Sequence, residues 1–425
     1  MLKIPKKIAV LGMGYVGTPL AIELAKNFEI VGFDAKKKRI EELKKSIDIT
    51  NDLDKDQLNN LAKIRLSSNK EDLRNVECFI VTVPTPVKEN NVPDFRPLES
   101  ATKTIANYLT EGSIVVYEST VYPGATEEIC VPILESFSKL TYNKDFYCGY
   151  SPERINPGDK EHTIRKIKKI TSGSTPEAAE IIDKIYKKII DAGTFKASSI
   201  MVAEAAKVIE NSQRDINIAF MNELSKIFSL LNIDTLEVLE AAQTKWNFLP
   251  FKPGLVGGHC IGVDPYYLSF KSEQLGYSPK MILSGREIND SMSNFVFSQV
   301  VSLLLKNSLS VSPSTKVLIL GATFKEDCSD IRNSKVFNLI QDFQDKGLKV
   351  EVFDPHVAPK EFREFTSAKL HYELPDSKEF SALILAVGHE SFKKNIKKLP
   401  NLLIENGIIF DIKGFLPQNM VHGRL

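Results

Sequence analysis

The chain has 425 residues, a length that indicates two or three domains rather than one hydrophobic core. Its 55 basic and 54 acidic residues give a formal net charge of +1, which argues against a broad electrostatic surface for nucleic acid or an anionic membrane. No apolar run reaches about 18 residues, and the first run ends at Gly12. We therefore expect no membrane span, no signal peptide and a cytoplasmic location.

The first segment alternates between apolar strands and helical stretches. A helix is predicted over residues 18–26, and strands are predicted over residues 7–11, 30–33, 78–83 and 113–117. Continuous apolar strands separated by helices are typical of a parallel sheet that helices cover on both faces.

A Gly-x-Gly-x-x-Gly motif follows the first strand and opens the first helix. The first glycine permits a tight turn, the second lets the backbone approach a pyrophosphate, and the third allows the helix to pack closely on the strand. The helix N-terminus adds free N–H groups and a positive dipole end. The motif spans residues 12–17, and Gly12, Gly14, Tyr15, Val16 and Gly17 are its predicted cofactor-binding residues.

Asp34 ends the second strand, where a carboxylate would accept hydrogen bonds from ribose hydroxyls. A carboxylate here disfavours a 2′-phosphate, so we predict NAD rather than NADP, although Arg39 is placed to reach a phosphate. The alternative is a cluster of turn glycines in an unrelated α/β fold. We predict a Rossmann-like NAD-binding domain over residues 1–175.

The pattern changes over residues 176–239, where apolar residues recur at three- and four-residue intervals, and the central domain is predicted over residues 176–307. Few helix breakers occur between Ser199 and Asn232, which predicts a central helical domain with one long helix and a homodimer formed on it. A second Rossmann-like domain is predicted over 308–425, with strands at 316–321, 349–354, 382–387 and 407–411. The fold class is therefore α/β, with two doubly wound parallel sheets joined by helices.

Five cysteines are scattered without metal-ligand spacing, so we expect no metal site and mostly buried thiols. Cys260 differs, because Gly257 and Gly258 precede it and leave the backbone open to a ligand. A thiolate at this place attacks an aldehyde well. If a helix begins nearby, Asp264 is close enough to act as a base or to order a water. The alternative for this cysteine is a buried thiol.

Lys207 and Asn211 lie four residues apart on the long helix and share one face. A partly desolvated lysine stabilises an oxyanion and an asparagine amide supplies a second donor; the alternative is a solvated helix face. Residues that directly follow three strands are expected at the crevice where parallel sheets bind ligands, with ordinary loop chemistry as the alternative. They are Pro84, Thr85, Ser119, Thr120, Glu153 and Arg154.

Several segments together resemble the UDP-glucose/GDP-mannose dehydrogenase family, most closely its UDP-N-acetylhexosamine 6-dehydrogenase branch of the Vi-antigen type. The resemblance covers nearly the whole chain. It implies NAD-dependent, four-electron oxidation of the C6 hydroxyl of UDP-N-acetylglucosamine or UDP-N-acetylgalactosamine to the uronic acid, for surface polysaccharide precursors. The segments are residues 12–17 (GMGYVG), 83–86 (VPTP), 118–128 (ESTVYPGATEE), 151–159 (SPERINPGD), 205–220, 245–268 and 321–336.

The resemblance also implies roles for individual residues. Cys260 would be the nucleophile, forming a thiohemiacetal and then a thioester. Lys207 and Asn211 would stabilise the C6 oxyanion, and Asp264 would support base and water chemistry. The hydrolytic water would be positioned by Thr120 and Glu153.

Further positions are assigned to ligands by the same resemblance. Lys325 matches a lysine that contacts the nucleotide-sugar, and Arg332 matches an arginine near the cofactor. Lys245 and Lys413 stand roughly where many relatives have arginine, which bears on substrate identity and subunit contacts. The predicted substrate-binding set is Glu153, Arg154, Lys207, Asn211, Lys245, Phe251, Gly254, Gly257, Lys325 and Lys413. The predicted cofactor set is the glycine motif with Asp34, Arg39, Pro84, Thr85, Ser119, Thr120 and Arg332.

Other functions remain open at this point. UDP-glucose, UDP-N-acetylmannosamine and GDP-mannose are alternative substrates. A two-electron β-hydroxyacid dehydrogenase also uses a lysine and an asparagine on a central helix, but it needs no cysteine in a Gly-Gly loop. A non-catalytic NAD- or nucleotide-sugar-binding protein is the third possibility.

Overall fold

A computed structural model describes residues 2–48, 53–88, 90–154, 163–258 and 261–425. The chain divides into two compact units. The first comprises Met1–Glu210 and Tyr266–Ser278, and the second comprises Asn211–Pro265 and Pro279–Leu425. Within the described part of the chain, no helix is long and apolar enough to cross a membrane.

The N-terminal part alternates strands with helices, as the apolar pattern requires. Helix α6 shows how the sequence starts an element: Thr175 caps the N–H of Ala178, and Pro176 occupies the first turn, where no N–H partner is needed. The elements are β1 (Lys7–Leu11), α1 (Gly17–Leu24), β2 (Glu29–Phe33), α2 (Lys37–Lys44), α3 (Lys55–Asn60), β3 (Arg65–Ser67), β4 (Cys78–Val81), α4 (Arg96–Ala106), β5 (Ser113–Tyr117), α5 (Val131–Ser138), β6 (Phe146–Tyr150), β7 (Lys169–Thr171), α6 (Pro176–Lys187) and β8 (Thr194–Lys196).

The first six strands form one parallel sheet in the order β3-β2-β1-β4-β5-β6, and β7 and β8 form a separate parallel pair. All residues of β4 and β5 are buried, which is typical of a sheet covered on both faces. The strand order places the carboxyl ends of β1 and β4 side by side, at the point where the order reverses. Ligands bind at such a point in open α/β sheets.

The described residues in the middle of the chain form five helices, and the longest has 32 residues. They are α7 (Ile200–Leu231), α8 (Thr235–Gln243), α9 (Asp264–Gln274), α10 (Lys280–Asp290) and α11 (Met292–Lys306). The sheet pattern then resumes with β9 (Lys316–Leu320), α12 (Val336–Asp345), β10 (Lys349–Phe353), α13 (Pro359–Phe365), β11 (Lys369–His371), β12 (Phe380–Leu385), β13 (Leu403–Asp411) and β14 (Gly423–Arg424).

The second parallel sheet has the order β11-β10-β9-β12-β13-β14, which is the order of the first sheet. Successive side chains of β9 pack into hydrophobic clusters on opposite faces of the sheet. Val317 and Ile319 lie in the cluster that includes α11 and α12, whereas Leu318 and Leu320 lie in a cluster on the opposite face. Both faces of this sheet are therefore covered.

A hydrogen-bonded turn at the end of the second strand repeats in the two units. Asp34 accepts from the N–H of Met13 at 2.9 Å and from that of Lys36 at 2.8 Å. Asp354 accepts in the same way from Ala322 at 2.7 Å and from His356 at 2.8 Å. The carboxylate thus fixes the loop after the first strand in each sheet.

The α/β class, the two parallel sheets and the long central helix are confirmed. Strand β4 ends at Val81 rather than at residue 83, because the Thr82 hydroxyl donates to the Gly12 carbonyl at 2.8 Å and Pro84 has no N–H. Strand β8 lies in a region predicted as helical; its Thr-Phe-Lys sequence follows Gly193, which has φ +74. The predicted domain bounds stay a prediction.

Candidate active site

The three motif glycines of the first unit are required for different reasons. A Cβ on Gly17 would lie 2.0 Å from the Gly12 carbonyl oxygen, and one on Gly12, whose φ is +100, would lie 2.9 Å from the Thr82 carbonyl oxygen. A Cβ on Gly14 would meet no described atom within 4 Å. Protein packing explains Gly12 and Gly17, whereas Gly14 keeps open the space that a pyrophosphate needs.

Asp34 and Arg39 lie beside this loop. The half-buried Asp34 carboxylate is held by two backbone N–H groups at the end of β2. The buried Arg39 guanidinium donates to the Met13 carbonyl at 2.7 Å and contacts Asp48 at 3.1 Å. Asp34 therefore lies where a ribose acceptor is expected, and Arg39 supports the loop from beneath.

Residues after β4 and β5 border the same end of the sheet. The Ser119 hydroxyl donates to the Val83 carbonyl at 2.6 Å, and the Tyr267 hydroxyl donates to the Thr85 carbonyl at 2.7 Å. Pro84 is exposed between these two contacts. The predicted cofactor residues Pro84, Thr85 and Ser119 thus lie on one hydrogen-bonded edge, and the partly exposed Thr120 follows them.

Glu153 follows β6, the neighbour of β5. Its side chain is buried, and its N–H lies 3.4 Å from the Glu118 carbonyl oxygen. The next side chain, Arg154, is already engaged: it contacts Glu210 at 2.7 Å and donates to the Lys168 carbonyl at 2.7 Å. Thr120 and Glu153 therefore follow adjacent strands, whereas the Arg154 guanidinium fixes this loop to α7.

The start of α7 carries two buried charged residues. Glu204 accepts from the N–H of Gly124 at 2.5 Å and from that of Thr126 at 2.9 Å. Burial raises the pKa of Glu204 to about 7, although these hydrogen bonds oppose the shift. Lys207 lies one turn further along α7 and is 5% exposed. The glutamate thus holds the loop after β5 against the helix that carries Lys207.

In the second unit, Asn211 and Asp264 meet. The Asn211 amide donates to the Asp264 carboxylate at 2.5 Å, and Asp264 is 1% exposed. This contact fixes the amide orientation and leaves its second N–H able to donate to an oxygen. The pairing of the predicted oxyanion donor with the predicted base was not anticipated from the sequence.

The irregular segment before Cys260 is held by a buried amide. Asn222 donates to the Gly254 carbonyl at 3.0 Å and accepts from the Gly254 N–H at 2.8 Å. Asn289 accepts from the same Asn222 amide at 2.8 Å and donates to Asp215. Asn222 thus pairs with the loop backbone as a neighbouring strand would.

Gly257 and Gly258 are required by packing rather than by backbone exposure. Gly258 is buried with φ +86, and a Cβ on it would lie 2.7 Å from the Phe324 ring. A Cβ on Gly257 would lie 2.6 Å from the Asn333 carbonyl oxygen. The Asn333 amide also donates to the Gly258 carbonyl at 2.7 Å. His259 and Cys260 themselves lie outside the described residues.

The four described cysteines are poor nucleophiles. Cys78, Cys130 and Cys148 are buried, and Cys328 is partly buried. Burial raises the pKa of each of these thiols, to about 12 for Cys130. Thiolate chemistry at neutral pH therefore has no suitable group among them.

Several predicted ligand residues of the second unit are engaged within the protein. Lys413 contacts Glu326 at 2.7 Å, and the exposed Arg332 donates to Asp330 at 2.7 Å. The Lys325 ammonium lies 5.6 Å from the centre of the Phe324 ring. Lys245 is exposed, and Phe251 packs beside the Met221 cluster.

Asp327, His356 and His389 place possible metal-ligand atoms within 4.8 Å of one another. The buried His389 uses both ring nitrogens within the protein. Its Nδ1 accepts from the Asp327 N–H at 2.9 Å, and its Nε2 lies 3.2 Å from the Asp354 carboxylate. This pairing argues against metal ligation by His389.

The glycine loop with Asp34 fits NAD, and the fold and site define an NAD-dependent oxidoreductase with two Rossmann-like sheets. Three models of the UDP-glucose/GDP-mannose dehydrogenase family match the chain: the NAD binding domain at residues 6–190, the central domain at 201–291 and the UDP binding domain at 318–418.

Individual proteins match along nearly the full length. A UDP-N-acetyl-D-glucosamine 6-dehydrogenase of Pseudomonas aeruginosa is 51% identical over 99% of both chains. One of Salmonella typhi is 50% identical, over 99% of this chain and 98% of that one. A solved UDP-N-acetylmannosamine dehydrogenase of Pyrococcus horikoshii has a TM-score of 0.87 and 28% identity over 98% of both chains.

The chain belongs to the UDP-glucose/GDP-mannose dehydrogenase family. The predicted enzyme class and the NAD cofactor are confirmed, and residues 318–418 match the family's UDP binding domain. A β-hydroxyacid dehydrogenase is set aside, because the central and UDP-binding models match as well. Sequence reasoning missed Asn222, Asn333 and Glu204, which act through contacts distant in sequence.

The motif glycines give a paired test. Gly17→Ala should lower the free energy of unfolding by about 2–3 kcal/mol, because the new methyl group overlaps the Gly12 carbonyl. Gly14→Ala should unfold like the wild type but weaken NAD binding by about tenfold or more, since its methyl group occupies the pyrophosphate space. Urea unfolding and NAD titration measure the two effects. Equal losses of stability in both variants would contradict this distinction.

Glu204 predicts a specific pH dependence of stability. Its pKa in the folded chain, about 7, lies above the ordinary 4.5, so the folded state binds the proton more tightly. The contribution of this carboxyl to the free energy of unfolding is therefore greatest below pH 4.5 and falls by roughly 3 kcal/mol as the pH rises to about 7. Urea unfolding of Glu204→Gln across this window should lack that slope. Identical slopes in variant and wild type would refute the assignment.

Proposed function

We propose that the chain oxidises the C6 hydroxyl of a UDP-N-acetylhexosamine, UDP-N-acetylglucosamine foremost, to the carboxylate. The observation that carries this proposal is 51% identity over 99% of both chains with a relative named for that substrate. UDP-N-acetylgalactosamine differs only at C4 and is the second substrate of the same class. The product serves as a uronic acid donor for surface polysaccharide.

The first oxidation requires a stabilised oxyanion at C6. We assign this role to Lys207 and Asn211, which lie four residues apart on α7. The Asp264 carboxylate supports the Asn211 amide at 2.5 Å and gives it a single orientation. NAD, when bound, would supply the hydride acceptor for both oxidations.

The second oxidation needs covalent capture of the aldehyde. The Cys260 thiolate adds to the aldehyde carbon, which forms a C–S bond and a thiohemiacetal. Loss of the second hydride leaves a thioester. The contacts of Asn222 with Gly254 and of Asn333 with Gly258 support this role, because they fix the segment that leads into the cysteine.

Water then attacks the thioester carbon, and the C–S bond breaks to return the thiolate. We assign the placement of this water to Thr120 and Glu153, which follow the adjacent strands β5 and β6. The overall reaction consumes one alcohol, one water and two NAD, and yields one carboxylate, two NADH and three protons. Atoms and charges balance without another oxidant.

The remaining predicted roles belong to ligand binding. NAD would be held by the Gly12–Gly17 loop and Asp34, with Arg39 behind the loop. We assign the UDP-sugar to Lys325, Lys413, Phe251 and Lys245, in keeping with the family's UDP-binding domain. We also propose divisions between three domains at about residues 175 and 307. We place the enzyme in the cytoplasm, where NAD and nucleotide-sugars are formed.

We also propose a homodimer formed on α7. Exposed apolar side chains recur on this helix at intervals of seven, eleven and seven residues, which are close to whole numbers of turns. They are Val202, Ile209, Phe220 and Ile227, each 44% to 53% exposed. A stripe of this length on one helix face fits a second copy of the same helix.

Cys260→Ser tests the covalent mechanism. Turnover of UDP-N-acetylglucosamine should fall by about a thousandfold or more, because an unactivated serine hydroxyl does not capture the aldehyde. Cys78→Ala, in the core of the first unit, is the matched control and should keep its activity. In the wild type, kcat/KM for UDP-N-acetylglucosamine should exceed that for UDP-glucose at least about tenfold. Full activity of Cys260→Ser would overturn the mechanism, and a preference for UDP-glucose would overturn the substrate.

Phe220→Asp tests the dimer. A charge in the apolar stripe should convert the dimer to a monomer in light scattering. Phe195→Asp replaces a similarly exposed phenylalanine on β8, outside α7, and should stay dimeric. A monomeric wild-type protein would exclude the proposed assembly.

A further inference from the structure

A buried ion pair lies beneath the two loops of the first unit that carry Thr120 and Glu153. The Lys169 ammonium lies 2.6 Å from the Glu118 carboxylate, and the two side chains are 6% and 1% exposed. The buried Tyr186 hydroxyl donates to the other oxygen of the same carboxylate. All three groups come from separate elements: the end of β5, β7 and α6.

The same lysine also holds the second loop. Its ammonium donates to the Pro152 carbonyl at 2.9 Å, directly before Glu153. Glu118 directly precedes Ser119 and Thr120. The Lys169 ammonium thus connects Pro152, directly before Glu153, with Glu118, two residues before Thr120.

A gain in folding stability does not explain the buried Lys169–Glu118 ion pair. A buried ion pair loses about as much free energy by desolvation as it gains by attraction, and apolar replacements of both partners are often neutral. Strands β5 and β6 are already paired from Ser113 with Phe146 to Tyr117 with Tyr150. What the ion pair adds is a fixed position for the two loops beyond the strand ends.

We propose that Lys169, Glu118 and Tyr186 are positioning residues, which hold the loops of Thr120 and Glu153 in the arrangement that the hydrolysis step needs. This inference rests on the proposed function. In the step concerned, the water oxygen bonds to the thioester carbon, its proton passes to the Glu153 carboxylate, and the C–S bond breaks to release the thiolate. The step needs no oxidant, because both hydrides have already left.

The test compares Lys169→Met, Glu118→Gln and the double variant. Each single variant leaves one buried charge without its partner and should melt well below the wild type. The double variant removes both charges and should regain most of the lost stability. Its steady-state kcat should nevertheless stay about 10- to 100-fold below the wild type, with KM little changed.

A single-turnover experiment shows which step of the reaction is slowed. The double variant should release two NADH per site rapidly and then stall, and intact-protein mass spectrometry should show the sugar thioester on the enzyme. Lys196→Met removes an exposed pair with Glu180, 2.8 Å apart in the same unit, and should turn over like the wild type.

Recovery of both stability and kcat in the double variant would show a purely structural role and overturn the inference. A double variant that stalls before the first NADH, or that shows no adduct, would overturn it as well. Failure of the proposed function is seen separately, since wild-type enzyme would then release no second NADH and Cys260→Ser would stay active.

Discussion

The segment that leads to Cys260 is irregular backbone, because its described residues, 248–258, belong to no helix or strand. Buried backbone groups in such a segment need hydrogen-bond partners from elsewhere. Asn222 supplies both partners for Gly254, and Asn333 supplies both partners for Gly258. Two glycines then become necessary, since any side chain would collide with Phe324 or the Asn333 backbone. The hydrogen bonds that hold this segment and the need for glycine at Gly257 and Gly258 therefore have the same cause, which is the close packing of its backbone.

The two Rossmann-like sheets share strand order and the carboxylate turn, yet the family models assign NAD to the first and UDP to the second. The carboxylates explain part of this difference. Asp34 is half-buried and lies beside the open space at Gly14. Asp354 is fully buried and contacts His389 at 3.2 Å. A ribose can therefore reach the first carboxylate but not the second.

Local pattern predicted the frame of the molecule well. Strands at residues 7–11 and 113–117 have the predicted bounds, and β9 ends one residue before the predicted end at Gly321, because buried parallel strands are continuous apolar runs between breaks. The spacing of the Gly-x-Gly-x-x-Gly motif and Asp34 likewise indicated a dinucleotide-binding loop. The short strand β8 was not, since three residues carry too little pattern to oppose the helical signal around them.

Contacts between distant residues lay beyond sequence reasoning. Glu204 bonds to Gly124, eighty positions away, and Lys169 reaches Glu118 across fifty-one. A single buried charged residue produces no periodic pattern in the sequence, so the sequence does not predict the partner of Glu204 or of Lys169. The same limit applies to Gly257 and Gly258, for which the sequence predicts a backbone left open to a ligand beside Cys260. In the structure, Asn333 and Phe324, which lie far along the chain, leave no room for a side chain at either glycine.

The central claim is a four-electron oxidation through one covalent intermediate. The most direct measurement is the amount of NADH formed per UDP-N-acetylglucosamine consumed, with purified protein and excess NAD. A ratio of two, with the uronic acid as the only sugar product, is the result that this account predicts. A ratio of one, with aldehyde released, would contradict it.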